Sequence, residues 1–327
     1  ESCDLLMAIS KQTYNINKHV CQRKPRVEGV DLTYVQHGVD ENVFKPLDYA
    51  DYADIKNQLF GDRDIDFLGF FNSRNITRKH PADLISAFST FVKKHVPADK
   101  KAVLLLHTDP VDQHGTDLPA VAKKIASNVE IIFSNKKLSS EDLNKLYNLA
   151  DVMCNPSSAE GFGLTHMEAM MAGTPTIASV IGGLQDQMGF LVDGEPFNVT
   201  HLSEDIPSNS TGEISEDYGK WVYPLWPQVT LQGSPMTPYI FDDRADFRDV
   251  AKGILYWYNM SKDDRQSKGQ AGLDWVQGNE SNMSAIGMSK RMSESIDSCF
   301  EQWTPRKRFT QYKINQVTQI ENTGVIS

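Results

Sequence analysis

Glu160 and Glu168 stand eight positions apart in SAEGFGLTHMEAMMAGTPTIASVIGG, with Gly161 and Gly163 bracketing Phe162 just before an apolar helix. The first amides of a helix have no internal partner, and the helix dipole favours negative charge there. A phosphate or diphosphate fits against Gly163, Leu164 and Thr165 by backbone contacts alone. Glu168 follows about one turn later, a rise of ~6 Å at ~1.5 Å per residue, which suits the ribose of a nucleotide whose phosphates occupy the helix start. Glu160 precedes the turn and reaches the other side of the diphosphate, toward a transferred group. Taken alone, each glutamate also fits a helix cap or a surface salt bridge. Together with the glycine turn they describe a site for a ligand that carries both hydroxyls and phosphate.

A second cluster strengthens that reading. Arg74 and Lys79 are five positions apart in FFNSRNITRKHP, immediately after an apolar strand, with Arg78 as a near alternative. Arg offers a planar donor fork to phosphate oxygens, and Lys a mobile point charge. The plain alternative is a solvent-facing basic turn.

These groups need a frame that brings separate turns together. Apolar runs predict strands over 4–10, 33–36, 65–71, 102–106, 128–133, 152–154 and 176–180, and the continuous apolar character of 102–106 suits burial on both faces. Pro81 suits a first helical turn, and Leu84, Ile85, Phe88, Phe91 and Val92 keep a helical stripe. Ser139 with Asp142 forms a capping pair ahead of Leu143, Leu146, Tyr147 and Ala150. Strand and helix alternate through about 160 residues, which predicts an α/β domain with a Rossmann-like parallel sheet and helices on both faces. Ligands of such sheets gather beyond the carboxyl ends of the strands, where both turns lie. Residues 196–240 carry Pro196, Pro207, Pro224, Pro227, Pro235 and Pro238 together with Trp221, Tyr223, Trp226 and Tyr239, and read as a folded excursion or lid. Helical periodicity returns with Phe247, Val250, Ala251, Ile254, Leu255 and Tyr258. A final amphipathic helix carries Met288, Met292, Ile296, Cys299 and Trp303. Core packing is the expected role of each aromatic stripe, and the basic run 306–308 reads as a solvated face.

The chain has 327 residues, is 40% hydrophobic and carries a formal charge of −10. That length buries a full core, and that charge argues against broad affinity for nucleic acid or anionic membranes. The four cysteines, Cys3, Cys21, Cys154 and Cys299, have no metal-ligand spacing, which makes a reduced, cytoplasmic setting the default. No apolar run reaches the ~18 residues of a membrane span. Six Asn-x-Ser/Thr triplets, beginning at Asn75, Asn198, Asn209, Asn259, Asn279 and Asn282, run against the cytoplasmic reading, but such triplets are short and degenerate.

With these residues in view, the chain resembles the C-terminal, donor-binding half of a retaining glycosyltransferase of the GT-B fold, in the large family that includes sucrose synthase and bacterial mannosyltransferases. The likeness is densest in YVQHGVDENVFKP, the Arg74–Lys79 turn, LNKLYNLADVMCNPSSAEGFGLTHMEAMMAGTPTIAS and the Gly182–Gly183 pair. The resemblance implies transfer of a sugar from a nucleotide-diphosphate sugar to an acceptor with retention, without a tightly bound cofactor or metal. By the same resemblance Arg74 and Lys79 would neutralise the donor diphosphate. Glu168 would hold the ribose hydroxyls, and Glu160 would contact the sugar, helped by the backbone from Phe162 through Gly163 and Leu164 to Thr165. Gly38 would pass close to the donor, and residues 107–109 and 133–138 would receive the base.

His37, Asn155, and Gln185 to Gln187 depart from the family pattern, and sugar and acceptor stay open. A phrase like CDLLMAISK closes the N-terminal domain in the family. The expected organisation is therefore 1–25 as a remnant of that domain, 26–285 as the donor-binding domain with an insertion at 196–240, and 286–327 as a terminal helix and tail. The partner expected is a missing N-terminal acceptor domain or a complementary subunit. A non-catalytic nucleotide-sugar-binding or assembly module is the alternative. A dinucleotide-dependent oxidoreductase fares worse, because no G-x-G-x-x-G turn follows the first strand.

Overall fold

In the computed structural model, which describes residues 3–23, 30–233, 235–237 and 239–305, the chain opens with a small βαβ unit. Its elements are β1 (Leu5–Ala8), α1 (Lys11–Arg23) and β2 (Asp31–Tyr34). β1 and β2 pair in parallel as a two-stranded sheet of their own. The boundary expected near residue 25 lies outside the described residues, and β2 pairs with β1 rather than with the sheet that follows.

Helix α2 (Tyr49–Phe60) leads into a regular alternation: β3 (Phe67–Asn72), α3 (Pro81–His95), β4 (Ala102–His107), α4 (Leu118–Ile125), β5 (Glu130–Ser134), α5 (Ser140–Leu149), β6 (Val152–Asn155), α6 (Leu164–Met171), β7 (Thr176–Ser179) and the short α7 (Gly182–Gln185). The expected caps form: Pro81 occupies the first turn of α3, and the Ser139 hydroxyl accepts the Asp142 amide at 3.1 Å. After the two-residue strands β8 (Leu191–Val192) and β9 (Glu195–Pro196) come β10 (Val222–Leu225), a hairpin of β11 (Gln228–Gln232) and β12 (Ile240–Arg244), and the helices α8 (Phe247–Tyr258), α9 (Lys262–Gln277) and α10 (Ala285–Gln302).

The central sheet has the order β10-β7-β6-β3-β4-β5, and every pairing in it is parallel. Because side chains alternate across a strand, β3 and β4 supply two cores at once. Leu68, Phe70, Val103 and Leu105 pack with Leu146, Met167 and Met170 on one face. Phe67, Phe71, Leu104 and Leu106 pack with Leu84, Phe88, Phe91 and Trp257 on the other. The result is an α/β Rossmann-like domain with helices on both faces of a parallel sheet.

Two expectations change. The proline-rich stretch 196–240 does not stand apart from the domain, since β10 within it pairs with β7 and extends the central sheet. Pro224 is tolerated there because β10 is an edge strand, where a missing N–H costs no ladder bond. The stripe on α10 is not core: Met288, Met292 and Cys299 are half-buried, while Ile296 and Trp303 are exposed, at 40% and 50%. Among the described residues this helix lies against β1, the 36–39 segment and the 282–284 turn, which leaves its outer face uncovered. The basic run 306–308 falls outside the described residues. Two of the six Asn-x-Ser/Thr triplets are closed to modification in the folded chain, since Asn75 and Asn209 are fully buried and hydrogen-bonded to backbone.

Candidate functional site

A parallel sheet places the carboxyl ends of all its strands along one edge. Loop 73–80 leaves β3 at that edge, loop 156–163 leaves β6, and the Gly182–Gly183 turn follows β7. β6 lies between β3 and β7, so the three loops are neighbours although more than a hundred residues separate the first from the last.

The loops meet through Glu160. The Lys79 ammonium forms an ion pair with its carboxylate, and both side chains are almost wholly buried, 10% and 8% exposed. Arg78 reaches the same carboxylate at 3.4 Å and donates to the Ala159 carbonyl at 2.5 Å. Burial lowers the Lys79 pKa from the ordinary lysine range, and the Glu160 charge works against that shift. The sequence reading gave Lys79 and Glu160 separate duties on opposite sides of a ligand; the structure pairs them.

Gly163 ends loop 156–163 in the left-handed region at φ 94° and caps α6, a conformation that favours glycine. None of the N–H groups of Gly163, Leu164 and Thr165 donates a hydrogen bond among the described residues. From the other side the glycine pair closes in: Gly182 has φ 43°, and a Cβ there would stand 1.9 Å from the Glu160 carbonyl oxygen. The double glycine thus serves as a seat for the Glu160–Phe162 backbone.

Glu168 projects from α6 and accepts a hydrogen bond from the Tyr147 hydroxyl at 2.7 Å. That hydroxyl in turn accepts from the Asn72 side-chain amide at 2.8 Å. Burial pushes the Glu168 carboxyl above the usual range, and the bond from Tyr147 opposes the shift. Tyr147 therefore orients one of the two carboxylate oxygens. The sequence reading placed Tyr147 in a helical apolar stripe, which is true of its ring and silent about its hydroxyl.

Arg74 is on the rim. Its guanidinium is 61% exposed and grips Asp112 at 2.8 and 3.3 Å, so Lys79 and Arg78, rather than Arg74, are the cations beside Glu160. Gly38 approaches the start of α10: a Cβ there would lie 2.1 Å from the Ser284 carbonyl oxygen. Its neighbour His37 instead meets the site, with its ring 5.4 Å from that of Phe162. At the expected base-receiving segments, the His107 ring and the Ser134 hydroxyl are hydrogen-bonded at 3.0 Å across β4 and β5. Among the described residues no group of three His, Cys, Asp or Glu side chains is placed to hold a metal ion.

The family described as Glycosyl transferases group 1 matches residues 34–209. D-inositol 3-phosphate glycosyltransferase of Corynebacterium urealyticum is 33% identical over 125 residues, 36% of this chain and 29% of that protein. Mannosylfructose-phosphate synthase of Agrobacterium fabrum is 28% identical over 190 residues, 56% of this chain and 39% of that protein. The chain thus spans about a third of the length of these curated relatives. Among solved structures, sucrose-phosphate synthase from Thermosynechococcus elongatus superposes with a TM-score of 0.60 at 19% identity, over 92% of this chain and 59% of that one. HepE of Anabaena in complex with UDP-glucose superposes with a TM-score of 0.58 at 16% identity, over 90% and 64%. With a match across more than half of its residues and the parallel sheet described above, this chain belongs to the glycosyl transferases group 1 family and has the GT-B type of fold.

Proposed function

We propose that this chain is the donor-binding part of a retaining glycosyltransferase, which moves a sugar from a nucleotide-diphosphate sugar to an acceptor. The observation that carries this reading is the meeting at one sheet edge of Lys79, Glu160 and the amides of Gly163 to Thr165, which have no partner among the described residues. Cation and helix start would share the diphosphate, a charge-assisted arrangement that stabilises a leaving nucleotide without further proton transfer. Glu168, held by Tyr147 through one oxygen, would offer the other to ribose hydroxyls. Glu160, held by Lys79 and Arg78, would face the transferred sugar. Arg74 joins on exchanging Asp112 for phosphate, and an exposed ion pair is a weak restraint on that exchange.

One feature supports a completing domain. The β1–β2 pair packs against α1 and α10, yet on α10 and at its C-terminal end Ile296, Phe300 and Trp303 present apolar surface to solvent. An acceptor-binding domain or subunit built onto this unit would cover it.

Titration of the chain with UDP, GDP, ADP and their sugars tests the reading, and binding of at least one at micromolar to millimolar concentration is expected. No binding of any at millimolar ligand ends it. Sugar transfer on adding the completing domain favours the enzyme over a non-catalytic binding module.

A further inference from the structure

Behind the glycine turn lies a chain of polar groups with no surface exposure. Thr176, His166 and Gln187 are each 0% exposed. The Thr176 hydroxyl and the His166 Nε2 are 2.8 Å apart, the His166 Nδ1 and the Gln187 Oε1 are 2.8 Å apart, and the Gln187 Nε2 donates to the Phe162 carbonyl at 2.7 Å. The indole of Trp221 donates to the Gln187 carbonyl at 3.2 Å and steadies that residue's backbone.

The direction of every bond follows from its last member. A carbonyl only accepts, so Gln187 must turn its amide nitrogen toward Phe162 and its oxygen toward His166. His166 must then carry its proton on Nδ1, and Thr176 must donate to Nε2. Burial holds the imidazole neutral, with its pKa lowered to about 4, so this single tautomer persists. The consequence reaches the ligand side through peptide geometry. In a trans peptide the C=O and N–H point in opposite directions, and no cis bond occurs among the described residues. Pinning the Phe162 carbonyl inward therefore turns the Gly163 N–H outward.

We infer that His166 and Gln187 are positioning residues, which hold the Phe162–Gly163 peptide so that its amide faces the donor diphosphate. The diphosphate in this statement rests on the function proposed above; the peptide orientation does not. Nothing in the glutamate motif requires a buried polar pair at 166 and 187, since two apolar side chains could fill the same space. What they could not do is grip a carbonyl.

The experiment uses the full chain, with Gln187→Leu and the double variant H166L/Q187L, and has two readouts. The first is the NMR order parameter of the Gly163 amide, expected to fall from about 0.85 to below about 0.6 in both variants. The second is affinity for inorganic pyrophosphate and for UDP and GDP, expected to drop about tenfold, as for loss of one phosphate-directed hydrogen bond, while uridine and guanosine are unaffected. The double variant removes the imidazole that the single variant leaves half-paired, but the Phe162 carbonyl and the Thr176 hydroxyl lose their partners in it, so its melting temperature is expected to recover only in part relative to the single variant. Positioning requires that Gly163 stay mobile and pyrophosphate bind weakly even so. Recovery of rigidity together with stability in the double variant overturns the inference, as does an unchanged Gly163 order parameter in Gln187→Leu. If the unaltered chain binds neither pyrophosphate nor any nucleotide, the donor reading fails separately, and the order parameter still decides this one.

Discussion

Lys79→Ala tests the electrostatic core of the proposed site. Lys79 is buried with Glu160 as its ion partner, and Arg78 stands 3.4 Å from the same carboxylate. A hydrogen bond to a charged group contributes about 1.5–3 kcal/mol, so loss of the ammonium predicts diphosphate ligands weakened by about 10- to 150-fold. The free nucleoside has no phosphate and loses little. Glu160 keeps Arg78, so the fold survives, which circular dichroism checks. Isothermal titration with UDP, GDP, ADP and the matching nucleosides gives the two ratios. Equal weakening of nucleotide and nucleoside would refute the assignment, because the lysine would then be acting through general disruption of the loop. A pH series adds a signed control. Burial lowers the Lys79 pKa, so diphosphate affinity should fall as pH rises, beginning below the ordinary lysine range, and Lys79→Arg should move that fall to higher pH.

Tyr147→Phe leaves the Asn72 amide and one Glu168 oxygen without their shared partner; a loss of about 1–3 kcal/mol in denaturant unfolding is expected, with nucleosides weakened more than pyrophosphate. Gly182→Ala forces a Cβ to within 1.9 Å of the Glu160 carbonyl oxygen at positive φ, and should lower both the melting temperature and nucleotide affinity; unchanged binding would separate the glycine pair from the site. His166 has its pKa lowered to about 4 in the fold, against about 6.5 when unfolded. The native state therefore binds fewer protons between those values, and the stability present above pH 6.5 is lost as pH falls toward 4, by about 3 kcal/mol. In H166L/Q187L that part of the pH dependence should vanish from unfolding curves.

Much of the frame was legible from local pattern. The apolar strings of β3 and β4 had to be buried on both faces, and the caps at Pro81 and Ser139 formed where their residue types implied. The glycine turn ahead of α6 was readable for the same reason, since it depends on Gly163 and the few residues after it. Pro224 misled because a proline says nothing about whether its strand is central or at an edge. The stripe on α10 misled because periodicity identifies an apolar face without identifying what covers it.

The pairings within the site belong to the tertiary structure. Sequence alone supplied two cations, two carboxylates and a helix start, each on the ligand side of a strand–turn–helix unit, because those signals are carried by neighbours within a few residues. The strand order then decided their partners. By setting β3 beside β6, the fold joined Lys79 to Glu160 across 81 positions. It sent Arg74 outward to Asp112, gave Glu168 the hydroxyl of Tyr147, and tied Phe162 through Gln187 and His166 to β7. A side chain's type determines which bonds it can make; only the packing of distant strands brings the atom that makes them.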